Sequence, residues 1–194
     1  MKKLAIISSA AAIMVAIYAF KTSDTATWKL DKNHGKLSFT VTHMMVSDVE
    51  GWFKSFDASI TTTKDDFSDA VAEMTADVSS INTDNDMRDK HLKSPDFFDA
   101  DKYPKITFKS KTITKGAGNS YKATGDLTMH GVTKTIDLDV LCLTAVNPKT
   151  QKSVAGFKIT GTIKRSDFGI GITMSTAMVS DEVQIAANAE FIKN

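Results

Sequence analysis

Cysteine is almost absent from this chain of 194 residues, because Cys142 is the only one. A single cysteine excludes an intramolecular disulfide, so the fold has to be held together by its core. Cys142 lies in the apolar run Val-Leu-Cys-Leu at 140–143, where a cysteine usually acts as a small buried hydrophobe. A reactive thiol is the alternative that the sequence leaves open.

An excess of one charge sign is also missing. The chain has 24 Lys and Arg residues against 23 Asp and Glu residues, for a formal net charge of +1 at pH 7. Proteins that bind nucleic acid carry a basic stripe or patch. The interspersed and nearly balanced charges therefore predict no nucleic-acid partner.

The motifs of common enzyme classes are missing as well. The chain has no Gly-x-Ser-x-Gly elbow and no Cys-x-x-Cys-His string, and Gly-Ile-Gly at 169–171 is too short for a dinucleotide fingerprint. The four histidines, His34, His43, His91 and His130, lack the short regular spacing of metal ligands. We expect no catalytic residue, no cofactor and no metal site.

One long hydrophobic run is present, at the N-terminus. Lys2 and Lys3 precede an apolar stretch at 4–20, which is the pattern of a secretory signal peptide. We expect cleavage after Ala19, which removes both lysines and leaves one net negative charge on the mature chain, followed by a short tether at 20–27. A retained anchor is the alternative. The predicted location is the periplasm or the exterior of the cell.

From Trp28 onward, apolar and polar side chains alternate in the manner of half-buried β-strands. In the first such segment Leu37, Phe39 and Val41 share one face. No linker, repeat or low-complexity stretch interrupts the pattern, so we expect residues 28–194 to form one domain. Eight strands are predicted, at 37–46, 51–60, 70–79, 105–109, 121–129, 135–142, 157–163 and 182–191.

The segment at 84–98 differs from the rest because it carries helix signals. Thr83 is expected to cap a short helix, and Ser94-Pro95 resembles a second cap with proline at the first helical position. The Phe-Phe pair at 97–98 would pack this insertion onto the core.

Alternating antiparallel strands have to hide their edges, and closure into a barrel does so completely. An eight-stranded barrel has room either for its own side chains or for one small ligand. Small inward residues leave space, and they are Ala72, Ala76, Ala123, Gly125, Gly161, Ala187 and Ala189. Aromatic inward residues make the walls apolar, and they are Phe39, Phe53, Phe108, Phe157 and Phe191. We predict an all-β, eight-stranded antiparallel barrel around a lined cavity, with a packed barrel or sandwich as the alternative.

Short strings follow one another in a characteristic order along the mature chain. They include LSFTVTH at 37–43, RDKHL at 88–92, YPKITF at 103–108, GDLTMHGVTK at 125–134 and RSDFG at 165–169. Together they resemble the YceI-like family of exported lipid-binding proteins over residues 28–192. The resemblance implies a lipocalin-like barrel around an apolar tunnel that holds a polyisoprenoid or related long-chain lipid. It also implies a binding protein and not an enzyme.

Strand parity and this resemblance together suggest which residues contact the ligand. Arg88 suits a lipid diphosphate, because a guanidinium binds phosphate oxygens in a bidentate fork. The alternative for the group Arg88, Asp89 and His91 is a structural network that closes one end of the barrel. The predicted ligand-binding residues are Phe39, Val41, His43, Phe53, Met74, Arg88, Phe108, Leu127, Leu138, Phe157, Ile159 and Ile185.

Two other functions stay open at this point. An enzyme on the same barrel could act on a hydrophobic substrate with His43 or His91 as general base. A stress-responsive exported protein could have no fixed ligand. His43 itself has three interpretations: a hydrogen-bonded core histidine, a polar contact to a ligand, or a metal ligand or base. The expected partner is a long-chain isoprenoid or fatty lipid. A homodimer is left open, and no membrane span is expected after signal cleavage.

Overall fold

Antiparallel strands make up most of residues 24–194, the part of the chain that this computed structural model describes. The predicted signal peptide at 1–19 lies outside these residues. The single α-helix within them is α1 (Asp86–Lys93), and short 3-10 turns lie at Val78–Ser80 and Arg165–Phe168. The strands are β1 (Ala26–His43), β2 (Ser47–Phe53), β3 (Phe56–Thr62), β4 (Val71–Asp77), β5 (Ile81–Asn82), β6 (Lys105–Lys115), β7 (Ser120–Met129), β8 (Val132–Val146), β9 (Ser153–Lys164) and β10 (Val179–Lys193).

Eight of these strands close into a barrel. The ring runs β1, β3, β4, β6, β7, β8, β9 and β10, and β10 then pairs with β1. All of these pairings are antiparallel. The predicted fold class is therefore confirmed. Closure gives each of the eight strands a neighbour on both sides, which removes the main route to edge-to-edge aggregation.

Strand β1 pairs with β10 along one edge and with two successive neighbours along the other. Its first residues, Ala26–Lys29, pair with β3, and after an irregularity between Leu30 and Gly35 its second half pairs with β2. The strand begins well before the predicted start at residue 37. It also ends earlier than predicted, at His43, because Met44 and Met45 adopt positive φ angles of 50° and 59° that turn the chain into β2.

The predicted single strand at 51–60 is two strands in the structure. Lys54 and Ser55 separate β2 from β3, and their amides donate to the backbone and side-chain oxygens of Ser80 and not to a neighbouring strand. The break lets β2 leave the ring and pair with β5, while β3 stays in the barrel. The inward parity changes across this break, from the odd positions Gly51 and Phe53 in β2 to the even positions Ala58 and Ile60 in β3.

The helix lies where the sequence places it, but its cap is different. Asn85, and not Thr83, accepts the hydrogen bond from the Arg88 amide, at 3.0 Å. Thr83 is unavailable because its hydroxyl and backbone bind Arg88 and Asp89 side chains. Residues 94–98 form turns and not a second helix. The Phe-Phe pair at 97–98 packs onto the core, as predicted.

Candidate functional site

Two cavities lie inside the barrel, one behind the other along its axis. The small cavity measures about 150 Å³ and the large cavity about 340 Å³. Both are lined by Leu37, Met74, Leu127 and Ile185, which we call the waist. Inward side chains that line a cavity can stay partly exposed although they face the interior. This explains why Leu37, Met74 and Ile185 are only partly buried.

The surface of the small cavity is entirely apolar. Its far end, which we call the Phe67 end, is closed by the β3–β4 loop. The Phe67 ring lies 5.1 Å from the Trp28 ring and 5.4 Å from the Phe157 ring. Phe67 is 3% exposed and has a φ of 57°. A bulky residue rarely adopts this left-handed conformation, so surrounding contacts have to hold it there.

The Asp69 carboxylate supplies those contacts. It accepts hydrogen bonds from the Thr62 hydroxyl at 2.5 Å, from the Thr63 amide at 3.0 Å and from the Thr63 hydroxyl. These donors, Thr62 first, hold the pKa of Asp69 well below its ordinary value. The ionised carboxylate therefore ties together the two ends of the loop that carries Phe67.

Not all of the small residues that were predicted to leave space do so, and the prediction is wrong for Ala76, Gly125 and Gly161. Ala72, Ala123, Ala187 and Ala189 line the small cavity as expected. Neither Gly125 nor Gly161 lines a cavity, because large neighbours lie across them. A Cβ on Gly125 would lie 2.5 Å from the Phe108 ring, and one on Gly161 would lie 2.6 Å from a Leu138 methyl. Ala76 is fully buried in the core.

The large cavity has polar groups at the opposite end of the barrel, which we call the Arg88 end. Thr83 stands at the centre of this group and is 4% exposed. Arg88 donates to the Thr83 hydroxyl at 2.8 Å and to its carbonyl at 2.7 Å. The buried Asp89 carboxylate accepts from the Thr83 amide at 2.8 Å and from its hydroxyl at 2.6 Å. Two members of the predicted structural network, Arg88 and Asp89, are therefore joined through Thr83, which orients Arg88. His91 lies outside this network, with its Nε2 near Asp96.

Arg88 also has hydrogen-bond donors that its contacts with Thr83 do not use. A guanidinium has five N–H donors, and only two of them are used on Thr83. Among residues 24–194 no carboxylate forms an ion pair with Arg88, because Asp89 is occupied by Thr83. The side chain is exposed and lines the large cavity. Arg88 can therefore bind an anionic group at this end of the barrel.

Arg165 is a cavity residue that the sequence analysis missed. It is 5% exposed and lines the large cavity. All five of its N–H donors reach backbone carbonyls, at 2.5 to 3.2 Å. Those carbonyls belong to Ile170, Gly171, Met174, Val179 and Ser180. A signal was available, because Arg165 has the same strand parity as the inward Ile163, and a buried arginine needs a reason.

The histidines separate into different roles. His43 lines the large cavity, and no hydrogen bond reaches its ring within residues 24–194. This environment fits a ligand contact better than it fits a hydrogen-bonded core histidine. His91 lines the same cavity and its Nε2 lies 3.5 Å from Asp96. His130 Nδ1 contacts the Phe168 carbonyl at 3.0 Å, which ties the β7–β8 turn to the 3-10 turn at 165–168.

All twelve residues predicted to bind a ligand line one of the two cavities; as ligand contacts they stay predictions. Three of them belong to the waist, namely Met74, Leu127 and Ile185. The small cavity has Phe108, Leu138, Phe157 and Ile159. The large cavity has Phe39, Val41, His43, Phe53 and Arg88.

Two further groups bear on chemistry. Cys142 is buried, and burial raises the pKa of its thiol to about 11, which suits a structural role. Asp31, His34 and Glu190 bring three potential metal-ligand atoms within 4.8 Å of one another on the outside of the irregular part of β1. The contact of 2.9 Å between His34 and Asp31 lowers the pKa of Asp31 and raises that of His34, so an ion pair accounts for this geometry.

The fold and its cavities agree with known proteins. Residues 28–191 match the YceI-like domain family, and the chain belongs to that family, as the order of its sequence strings predicted. A UPF0312 protein of Staphylococcus aureus (strain bovine RF122 / ET3-1) is 40% identical over 166 residues, which cover 83% of this chain and 94% of the relative.

Solved structures show the same barrel. BcnA of Burkholderia cenocepacia is 32% identical, with a TM-score of 0.74, and the match covers 83% of this chain and 98% of BcnA. The YCEI protein of Campylobacter jejuni is 36% identical, with a TM-score of 0.72, over 79% of this chain and 90% of that protein. A polyisoprenoid binding domain from Saccharophagus degradans shares the fold at 18% identity, with a TM-score of 0.63, over 86% of this chain and 98% of the domain.

Residues 24–194 contain no helix with the length and hydropathy needed to cross a membrane.

Proposed function

We propose that this protein is an exported binding protein that encloses a long apolar chain, a polyisoprenoid or related lipid, in its barrel. The observation that carries the proposal is the pair of adjoining cavities inside a closed ring of strands, one of them apolar and the other mostly apolar. Support for the isoprenoid comes from the neighbour described as a polyisoprenoid binding domain, with which this chain shares its fold. Export rests on the N-terminal pattern of two lysines and an apolar stretch at 4–20.

Desolvation supplies the binding energy in this proposal. Burial of one methylene contributes about 0.8 kcal/mol, so a five-carbon isoprene unit offers roughly 3–4 kcal/mol. Association and ordering costs offset much of this. Three or four buried units still give about micromolar binding or tighter. An apolar cavity of about 150 Å³ holds a benzene-sized molecule in other proteins, so even the small cavity takes part of such a chain.

The two ends of the interior suggest an orientation for the ligand. The apolar tail belongs at the Phe67 end, where a polar group would lose its hydration without a hydrogen-bond partner. A polar head group belongs at the Arg88 end, where the free donors of Arg88 are available. A diphosphate suits these donors, because charge-assisted hydrogen bonds from arginine to phosphate are strong.

The direct test is mass spectrometry of organic extracts from the full-length gene product, purified gently from the host cells that produce it. We expect one long-chain species in a stoichiometric amount. Protein that emerges empty from such a preparation argues strongly against the carrier function. Protein recovered from the cytoplasm, with residues 1–19 still attached, argues against export while leaving lipid binding intact.

A second test addresses the head group. Arg88→Ala should weaken the affinity for a prenyl diphosphate about tenfold or more, because a hydrogen bond to a charged group contributes about 1.5–3 kcal/mol. Affinity for the prenyl alcohol of the same length should stay within about twofold. Lys90→Ala is the matched control, since Lys90 is exposed on the same helix and lines neither cavity. Unchanged affinity for both lipids in Arg88→Ala would falsify the role of Arg88.

A further inference from the structure

We propose that the small cavity is a separate compartment for the end of the bound chain, entered past Met74 and terminated by Phe67, so that these two residues set the length of lipid that binds. This inference rests on the proposed function, because it concerns which apolar chains the barrel accepts.

The waist divides the interior into two compartments. Leu37 and Ile185 stand on the adjacent strands β1 and β10, and Met74 and Leu127 stand on β4 and β7. Only β6 separates β4 from β7, and in the ring of eight strands β6 lies almost opposite the β1–β10 pair. The four side chains therefore approach one another from opposite walls.

Met74 is the adaptable member of the waist. Leucine and isoleucine have branched side chains with few rotamers, whereas methionine is unbranched, with three rotatable bonds and a polarizable sulfur. Met74 is only partly buried and lines both cavities. A change of its rotamer alters the width of the waist without moving a strand. Leu127, by contrast, is 5% exposed and packed in the core.

Phe67 ends the compartment. Its ring lines the small cavity and is packed between Trp28 and Phe157. The residue comes from a loop and not from a strand of the ring, so the barrel wall does not depend on it. Its positive φ of 57° is a conformation that glycine adopts without strain. Phe67→Gly therefore removes the obstruction and suits the backbone at the same time.

The length dependence of binding follows from this arrangement. A chain short enough for the large cavity does not use the small one, which has less than half its volume. A longer chain gains affinity only where its next unit passes the waist. Each further isoprene unit that is buried should tighten binding about tenfold or more, and the gain should stop where the chain reaches Phe67.

The experiment measures dissociation constants of the full-length protein for prenyl alcohols of two to eight isoprene units. In Met74→Phe, which narrows the waist, the gain with length should stop at least one unit earlier than in the parent protein. In Met74→Ala, the affinity for the longer alcohols should stay equal or rise. Met87→Phe is the matched control, because Met87 is 84% exposed and lines neither cavity; its profile should match that of the parent.

Phe67→Gly should shift the limit the other way, by at least one additional unit, and Phe67→Leu provides a milder truncation if the glycine variant unfolds. Identical length profiles in the parent, Met74→Phe and Phe67 variants would overturn the compartment while leaving lipid binding in place. A parent protein that binds no prenyl alcohol of any length would overturn the proposed function itself, and the compartment with it.

Discussion

The two ends of the barrel interior close in different ways. At the Phe67 end, aromatic rings pack in tilted and edge-to-face pairs, and a loop residue with a positive φ lines the apolar cavity. At the Arg88 end, Thr83, Asp89 and Arg165 build a hydrogen-bonded frame around a cavity that also contains histidines. One end therefore depends on desolvation and the other on satisfied buried polar groups. The interior therefore has one apolar end and one polar end, and we expect the two ends to respond differently to mutation and to pH.

The largest expected effect is at the polar end. Arg165→Met removes five hydrogen bonds to backbone carbonyls, two of them buried and three partly buried. A buried carbonyl that is left unpaired costs about 1–3 kcal/mol. We expect a loss of at least about 4 kcal/mol in the free energy of unfolding, measured by urea denaturation. Lys164→Met, at the exposed neighbouring position, should lose less than about 0.5 kcal/mol. Equal losses in the two variants would show that the hydrogen bonds from Arg165 to the five carbonyls do not contribute to stability.

The same truncation in the two cavities should have unequal effects. Phe157 is 6% exposed and its ring lies 5.4 Å from the rings of both Phe67 and Phe191. Phe157→Ala should lower the free energy of unfolding by about 3–5 kcal/mol. Phe39 is only partly buried, beside the large cavity, so Phe39→Ala should cost about 2 kcal/mol. A larger loss at Phe39 in denaturation experiments would mean that the large cavity is the better packed region.

Acid should loosen the Phe67 end of the barrel. The folded-state pKa of Asp69 lies below its ordinary value, so its contribution to stability is complete above pH 4 and is lost as the pH falls through the folded-state pKa. Because Trp28 packs on Phe67, its fluorescence reports on this loop. With Trp52→Phe as background, we expect an acid transition that Asp69→Asn removes. A transition that persists in Asp69→Asn must arise from other carboxylates.

The smallest effect concerns Cys142 on β8, which packs in the same core as Phe67. With its thiol buried and its pKa raised to about 11, the native protein should resist alkylation at pH 8. The rate should fall at least about a hundredfold below that of the urea-unfolded chain. Rapid labelling of the folded protein would indicate that this end opens readily, and would weaken the contrast between the two ends.

The alternation of apolar and polar residues predicted which side chains face the barrel interior. In β7 the alternate residues Tyr121, Ala123, Gly125, Leu127 and Met129 are all buried, as the period of two requires. The same rule placed all the predicted wall residues beside a cavity. The bulges that reverse the parity in β1 and β6 lie outside the predicted wall positions, between Leu30 and Gly35 and between Ser110 and Thr112. The order and spacing of the short strings identified the family, which the match over residues 28–191 confirms.

The remaining features depend on contacts between distant segments. The sequence does not show that β2 leaves the ring, that Arg165 binds five carbonyls, or that Thr83 serves Asp89 instead of the helix N-terminus. Each depends on which backbone groups meet after the barrel has closed. The sequence likewise does not show that Phe67 lines the end of the small cavity. Its position depends on the hydrogen bonds of Asp69 and on a left-handed φ, and not on strand alternation.

The sequence alone determined the strand faces, the family and the apolar character of the interior, because a side chain's parity and chemistry are local properties. Only the tertiary structure decided how the interior is divided. Gly125 and Gly161 leave no space because Phe108 and Leu138 lie across them, whereas four of the five alanines predicted to face inward do line the small cavity. Free volume is the difference between a space and all the side chains that reach into it, so it is set only when every wall is in place.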